Sequence, residues 1–416
     1  MIGLGYVGLP VAVAACEAGF SVTGIDIDES RVKRLNTGES YVEDIGVERL
    51  ASCFESGRLR VSSDVGDVLG FDIAVVTVPT PLSEGIPDLS YVESAAMALG
   101  PMVTEGCTVI LESTTYPGTT EELFGPMLEE YSGLAVGTHF NLGYSPERID
   151  PGNPTFGLEN TPKVVSGVDA KSLAAVTHFY GMFVDEMVTV SGTREAELSK
   201  LLENTFRHVN IALVNELAMF ASDLGVDVWE AIDAASSKPF GFMRFEPGPG
   251  VGGHCLPIDP SFLSWRVRRH LGHTFRFVEL ANDVNDHMPD FVVRRLSSAL
   301  NRVRKPLNGS RILVIGVTYK PNTGDARESP AERIYQLLKE AGGDVVAFGP
   351  YVDERNSEYD LVELNAEELS ATDAVLVVTP HDDVDYELVT DHAQLILDTR
   401  NRLQGDNVEH LSLIHI

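Results

Sequence analysis

Basic side chains are scarce in this 416-residue chain, where 31 Lys and Arg stand against 62 Asp and Glu for a formal net charge of -31. So acidic a field repels phosphate backbones and anionic lipid, which argues against nucleic acid or a membrane surface as a partner. Cysteine is also rare. Cys16, Cys53, Cys107 and Cys255 lie far apart and form no CxxC pair. They are too few to staple a chain this long, so they read as free thiols, and no metal site is expected. No uninterrupted apolar run reaches the roughly 18 to 20 residues a bilayer helix needs, and no basic segment leading into an apolar block opens the chain. The expectation is a soluble, cytoplasmic protein.

Apolar residues, at 44%, are enough for two or three cored domains. The acids are dispersed in pairs such as Glu121-Glu122, Glu129-Glu130, Glu367-Glu368 and Asp382-Asp383, and most basic residues are Arg. Such a surface suits a salt-rich cytoplasm, where screening over a few ångströms makes self-repulsion tolerable. An ordinary acidic enzyme is the alternative.

The N-terminal third alternates short apolar runs with helical patterns. Ser21 to Asp26, Phe71 to Val78, Cys107 to Ser113 and Thr138 to Ser145 read as strands of a parallel, doubly wound sheet. From Thr193 to Leu224 there is no Gly or Pro, and Leu198, Leu201, Leu202, Phe206, Val209 and Leu213 recur at helical spacing, which predicts one long helix. A helical middle follows, through Ala281 to Asp286 and a helix from about Pro289 to Val303. After the basic linker Arg302 to Arg311 a second alternating unit begins. Its predicted strands are Arg311 to Gly316, Asp344 to Phe348, Ala374 to Thr379 and Gln394 to Asp398, with a helix over Pro330 to Ala341. The expected architecture is therefore α/β, two Rossmann-like domains (1–190 and 304–416) joined by a helical middle domain (191–303). Two features at the ends are odd. The strand feeding the first glycine motif is only Met1-Ile2, which suggests a start further upstream, and Leu411 to Ile416 reads like a translated sequencing-transposon end, so it is left out of the fold reasoning.

Gly3-Leu4-Gly5-Tyr6-Val7-Gly8 fits GxGxxG, in which the first Gly makes a tight turn, the second admits a pyrophosphate and the third lets helix and strand pack closely. Alone the motif is weak. Its context is a helix pattern over Leu9 to Ala18, a strand, and then Asp26 at the strand end, where a carboxylate accepts from a ribose diol and repels a 2′-phosphate. NAD is favoured over NADP, with FAD or a ligand-free turn as alternatives. Thr77 to Pro81 ends a third strand at the sheet edge where ligands bind, or is a stiffened loop.

Cys16 and Cys107 read as small buried hydrophobes. Cys255 differs, because Gly248, Gly250, Gly252 and Gly253 precede it and give backbone N–H groups close access to whatever a thiol attacks. Pro257 and Pro260 stiffen the segment, and Asp259 is placed to act on a water or simply to shape a turn. On the long helix Lys200 and Asn204 are i and i+4 and share a face. Lys200, flanked by Leu198, Leu201 and Leu202, is either a snorkelling surface cation or a group that steadies an alkoxide or thiolate.

Seven segments in order carry a resemblance spanning nearly the whole chain: Gly3 to Pro10, Glu112 to Thr120, Tyr144 to Ile149, Lys200 to Asn204, Gly248 to Asp259, Gly324 to Pro330 and Asp398 to Asn401. The chain resembles the UDP-glucose/GDP-mannose dehydrogenase family. The resemblance implies a four-electron oxidation with two NAD reduced per sugar, through an aldehyde, a cysteine thiohemiacetal and a thioester. It implies Cys255 as nucleophile, Lys200 and Asn204 at the oxyanion, Asp259 in proton transfer, and Glu147 and Thr114 around the hydrolytic water. On residue type alone, Glu147 equally suits an ion pair with Arg148, and Thr114 a strand-end hydroxyl. Gly3, Gly5, Tyr6, Val7, Gly8, Asp26, Arg31, Thr80, Thr114 and Arg327 are the implied cofactor contacts. Glu147, Arg148, Lys200, Asn204, Arg244, Gly252, Lys320 and Arg400 are the implied substrate contacts, with Lys320 and Arg400 on the diphosphate.

Within the family, Lys238 to Pro260 looks closest to the UDP-N-acetylhexosamine branch, UDP-N-acetylglucosamine first, then UDP-N-acetylmannosamine, UDP-glucose and GDP-mannose. A uronic acid for polysaccharide or glycan synthesis would be the product, and the long helix a homodimer interface. Two readings from other classes are a transferase using the first domain for another nucleotide, which leaves Cys255 unexplained, and a catalytically silent NAD-binding regulator. For the salt-rich host, the expected outcome is a melting temperature that rises from low to multimolar KCl. A flat response would refute it.

Overall fold

The computed structural model describes residues 1–42, 45–83, 85–150, 153, 155–253, 256–352, 358–403 and 412–416. They group into two compact units, Met1–Glu203 with Ser261–His273, and Asn204–Pro260 with Thr274–Ile416. Among the described residues no helix is long and apolar enough to cross a membrane.

The strands of the first unit are β1 (Val22–Ile25), β2 (Leu59–Ser62), β3 (Ile73–Val76), a short hairpin β4 (Leu82–Ser83) and β5 (Ile86–Pro87), β6 (Thr108–Leu111), β7 (Asn141–Tyr144), β8 (Lys163–Gly167) and β9 (Met187–Thr189). The helices are α1 (Gly8–Glu17), α2 (Glu29–Asn36), α3 (Val47–Glu55), α4 (Ser90–Leu99), α5 (Gly125–Ser132) and α6 (Ala170–Tyr180). β1 pairs in parallel with β2, while β3, β6, β7, β8 and β9 lie side by side in that order. Ile2 joins the two groups by parallel bridges to Ile25 and Val76. Its amide donates to Val75 O and its carbonyl accepts from Thr77 N, both at 2.8 Å, so Met1-Ile2 takes the central strand position.

Burial explains why α1 is almost wholly apolar. Leu9, Ala12, Val13 and Cys16 enter one core with Leu35, Leu50 and Cys53, while Val11, Ala14 and Ala15 enter another with Val75, Ile110 and Val176. A helix clad on both sides has no polar face to show. The sheet departs from the parallel expectation at one place, since β8 runs antiparallel to β7, pairing Gly143 with Gly167 and Tyr144 with Ser166. Parallel neighbours need a crossover, commonly a helix, and the described residues between these strands form no helix.

The long helix α7 (Thr193–Leu224) has the predicted bounds, and it contributes residues to both units. It is followed by α8 (Val228–Ser236), α9 (Asp259–Leu271), α10 (Arg276–Asp286) and α11 (Met288–Arg302). The second unit's sheet comprises β10 (Arg311–Ile315), β11 (Asp344–Phe348), β12 (Ala374–Val377), β13 (Leu395–Asp398) and β14 (Ser412–His415), with helices α12 (Pro330–Glu340), α13 (Ala366–Ala371) and α14 (Tyr386–His392). All pairs are parallel and the order is β11-β10-β12-β13-β14. The period of two along β10 sends Ile312 and Val314 to one core and Leu313 and Ile315 to the other. Ser412–His415, within the segment left out of the sequence reasoning, is the edge strand beside β13. Helix starts follow capping chemistry: Asp28, Asp169, Asp227, Ser329, Asn365 and Asp385 each accept from a backbone amide of the first turn.

Candidate active site

In the first unit the glycine turn is built as close packing requires. Gly3 has φ of +90°, and a Cβ on it would stand 2.8 Å from Thr77 O. A Cβ on Gly8 would lie 2.0 Å from Gly3 O and 2.4 Å from Thr77 Oγ1, whereas one on Gly5 would meet nothing within 4 Å. Two glycines are thus demanded by the turn itself, and the third leaves its backbone open to a ligand, the arrangement a pyrophosphate needs. Thr77 Oγ1 closes the turn by donating to Gly3 O at 2.8 Å.

Asp26, 5% exposed at the end of β1, accepts from Leu4 N and Asp28 N, both at 2.9 Å. Arg31 reaches the same carboxylate at 3.5 Å and also lies 3.5 Å from Asp28. Tyr41 donates to Leu4 O at 2.5 Å. Burial, with Asp26 nearby, pushes its phenol up to about 12, so it remains a donor. Thr80 is buried, while Tyr6 is exposed beside the turn. These residues fit an adenine dinucleotide, for which Asp26 could accept from the ribose and the open Gly5 backbone could receive the phosphates.

At the carboxyl ends of β6 and β7, on the same edge of the sheet as the glycine turn, Glu112, Lys163 and Glu147 are all buried. Lys163 Nζ donates to Glu112 Oε1 and lies 3.7 Å from Glu147 Oε2. Tyr180 donates to Glu112 Oε2 at 2.7 Å. The suggested pair of Glu147 with Arg148 does not form through the side chain. Glu147 Oε1 instead accepts the amides of Arg148 and Ile149, at 2.6 and 2.5 Å, and the guanidinium of Arg148 pairs with Glu203 at 2.8 Å. Thr114, half-buried, follows β6 on the same edge.

On α7, Glu197 is fully buried and accepts from Gly118 N at 2.6 Å, Thr120 N at 2.9 Å and Thr120 Oγ1 at 2.7 Å. It pins the loop that contains Thr114. Burial raises its carboxyl to about 7, against the pull of those three donors. Lys200, one turn further on, is 8% exposed and makes no hydrogen bond or ion pair among the described residues. A buried lysine with no partner among the described residues is a candidate to hold negative charge at a site.

In the second unit Asn204 Nδ2 donates to Asp259 Oδ2 at 2.6 Å, with both residues buried. Cys255 lies outside the described residues, but the glycines leading to it are described. A Cβ on Gly248 would sit 2.2 Å from Arg400 Nη1, one on Gly252 2.7 Å from Glu328 O, and one on Gly253 2.7 Å from the Tyr319 ring. Gly248 N is held by Asn215 Oδ1 at 2.9 Å. The loop is glycine-rich because it is pressed against Arg400, Tyr319 and Pro330. Burial lowers the Arg400 guanidinium to about 10, and its Nε donates to Val378 O at 3.3 Å. Lys320 is half-buried after β10. The two exposed arginines are engaged locally, Arg327 with both oxygens of Asp325 at 2.8 and 2.6 Å, and Arg244 with Glu246 at 2.8 Å and Asp233 at 2.5 Å.

Matched against family models, residues 1–184 fit the NAD-binding domain of the UDP-glucose/GDP-mannose dehydrogenase family, residues 194–287 its central domain and residues 313–405 its UDP-binding domain. The class is that of NAD-dependent oxidoreductases. The chain belongs to the UDP-glucose/GDP-mannose dehydrogenase family. A UDP-N-acetyl-D-mannosamine dehydrogenase of Pyrococcus horikoshii is 35% identical, over 96% of this chain and 94% of the relative. An NDP-N-acetyl-D-galactosaminuronic acid dehydrogenase of Ralstonia nicotianae is 34% identical, over 96% of this chain and 95% of the relative. The solved structure of a Pyrococcus horikoshii UDP-D-ManNAc dehydrogenase is similar at a TM-score of 0.91 and 33% identity, covering 100% of this chain and 98% of that one.

Sequence reasoning passed over Lys163 and Glu197. A carboxylate one turn before Lys200 was a signal for Glu197, whereas Lys163 sits on a strand whose pairing no local pattern announces. The glycine turn makes a divided prediction. Gly5→Ala and Gly8→Ala should both weaken NAD binding by at least about tenfold, measured by fluorescence titration, and only Gly8→Ala should also lower the melting temperature. Equal melting temperatures for the two variants would contradict the packing described.

Proposed function

We propose that the protein oxidises the C6 alcohol of a UDP-N-acetylhexosamine to the carboxylate, with UDP-N-acetylmannosamine ahead of UDP-N-acetylglucosamine because the relatives described above carry mannosamine and galactosaminuronic acid names. The sequence-based order, with glucosamine first, is thereby reversed. The observation that carries the reading is Lys200, buried with no partner among the described residues and four positions before Asn204 in the same helix.

NAD, held at Gly3, Gly5, Gly8 and Asp26 with Tyr6, Val7, Arg31, Thr80, Thr114 and Arg327, supplies the hydride acceptor, two equivalents per sugar. Lys320 and Arg400 hold the diphosphate, and Arg148, Arg244 and Gly252 contact the sugar nucleotide. Lys200 and Asn204 hold the alkoxide once Asp259 has taken the alcohol's proton, and loss of its hydride to NAD leaves the aldehyde. The Cys255 thiolate then adds to the aldehyde carbon, and the oxyanion so formed rests on the same two side chains. Once that adduct has become a thioester, Glu147 and Thr114 orient water and Glu147 takes its proton. The carbon–sulfur bond breaks, the thiol is restored and the acid leaves, with Asp259 returning protons.

We place the enzyme in the cytoplasm of a salt-adapted cell, making a uronic acid for polysaccharide or glycan synthesis, with domains 1–190, 191–303 and 304–416. A homodimer is supported by α7, where Phe206, Leu213, Leu217, Phe220 and Leu224 are exposed at coiled-coil spacing. Sedimentation of Leu213→Glu should give a monomer where the parent chain is a dimer, and a monomeric parent would defeat this reading.

The activity is tested with a panel of UDP- and GDP-sugars and NAD at high salt. Two NADH per UDP-N-acetylmannosamine are expected, and Cys255→Ser should abolish net acid formation. A ratio near one refutes the four-electron route.

A further inference from the structure

Glu147 presents an unusual pair of oxygens. Oε1 is fully engaged by the amides of Arg148 and Ile149, at 2.6 and 2.5 Å. Oε2 is buried, accepts no hydrogen bond among the described residues, and lies 3.7 Å from Lys163 Nζ. One oxygen fixes the orientation of the carboxylate and the other keeps its lone pairs for a proton. Beyond Lys163 stands Glu112, 1% exposed, which receives both the ammonium of Lys163 and the hydroxyl of Tyr180. The Tyr180 ring lies 4.9 Å from Lys163 Nζ.

We propose that Lys163 is a positioning residue for Glu147, its single charge divided between Glu147 and Glu112 so that Glu147 Oε2 is steadied yet left open to water. The proposal rests on the reading of Glu147 as the base that acts in the last half-reaction. The geometry supports the division. A full hydrogen bond from Lys163 to Oε2 would occupy the lone pair that water must use, whereas Glu112 draws the ammonium back and leaves only the electrostatic attraction across 3.7 Å. Burial opposes the charge on Lys163, but Glu112 and Glu147 outweigh it and hold the amine protonated. Burial also pushes the Glu112 carboxyl up. Among the described residues the charged and titratable groups around Glu147 are Lys163 on β8, Glu112 after β6, Tyr180 on α6, and Arg148, whose guanidinium is committed to Glu203 on α7 and Pro162 O. Among the described residues Lys163 is thus the cation whose attraction reaches Oε2, and Glu112 is the group that tempers it.

The test measures the pH dependence of kcat for thioester hydrolysis, from steady-state turnover and from the preceding burst of NADH. Lys163→Met removes the attraction, and the acidic limb should move up by about 1 to 3 units with the burst unchanged. Glu112→Gln leaves the ammonium to Glu147 alone, and the limb should move down. Opposite shifts from two buried substitutions are not what general loosening produces. A uniform loss of kcat with the limb fixed in both variants overturns the proposal. If Lys163→Met does not fold, Glu112→Gln decides by the same criterion. Glu147→Gln separates the two levels: unchanged turnover defeats the assignment of Glu147 itself, whereas lost turnover together with unmoved limbs defeats only the role of Lys163.

Discussion

Removing a charge from water costs several kcal/mol unless partners replace the hydration. This chain carries 62 Asp and Glu and 31 Lys and Arg, yet among the described residues only a handful are buried. Nearly all of those have visible compensation. Asp26 has Leu4 N and Asp28 N, Asp398 has Arg400 N and Leu403 N, Glu197 has three donors, Asp259 has Asn204, and Lys163 has Glu112. Asp26, Asp398, Glu112 and Lys163 sit at strand ends, Glu197 on the long helix and Asp259 at the start of α9. Lys200 stands apart, and the chemistry proposed for the chain is organised around that exception.

The second constraint is proximity of backbone to backbone. At Gly3 and Gly8 the turn leaves no room for a Cβ beside Thr77, and at Gly252 and Gly253 the loop leaves none beside Tyr319. The glycine signatures therefore record two different contacts. In the first unit the crowding is internal, and it exposes the Gly5 backbone. In the second it clamps the loop before Cys255 against the segment after β10, so that a flexible composition becomes a well-supported path.

Much of this was legible in the residues because it depends on periodicity. The run without Gly or Pro from Thr193 to Leu224 is a single helix with those bounds, and the alternation along Arg311 to Ile315 places successive side chains on opposite faces of a buried strand. What was not legible depends on pairing between distant segments. That β8 lies antiparallel beside β7 decides that Lys163 meets Glu112 and Glu147, residues 51 and 16 positions away. No local pattern around Lys163 distinguishes it from a surface lysine.

The amino-acid order by itself determined the element types, the nucleotide turn with its acidic strand end, and the ordered set of motifs that marks the family, since each of these is a property of neighbouring residues. Only the tertiary structure decided how the buried charges are compensated. It turned the carboxylate of Glu147 towards Lys163 and away from the side chain of Arg148, and it left Lys200 without a partner among the described residues. Desolvation and Coulomb attraction act through space, so their outcome belongs to the fold.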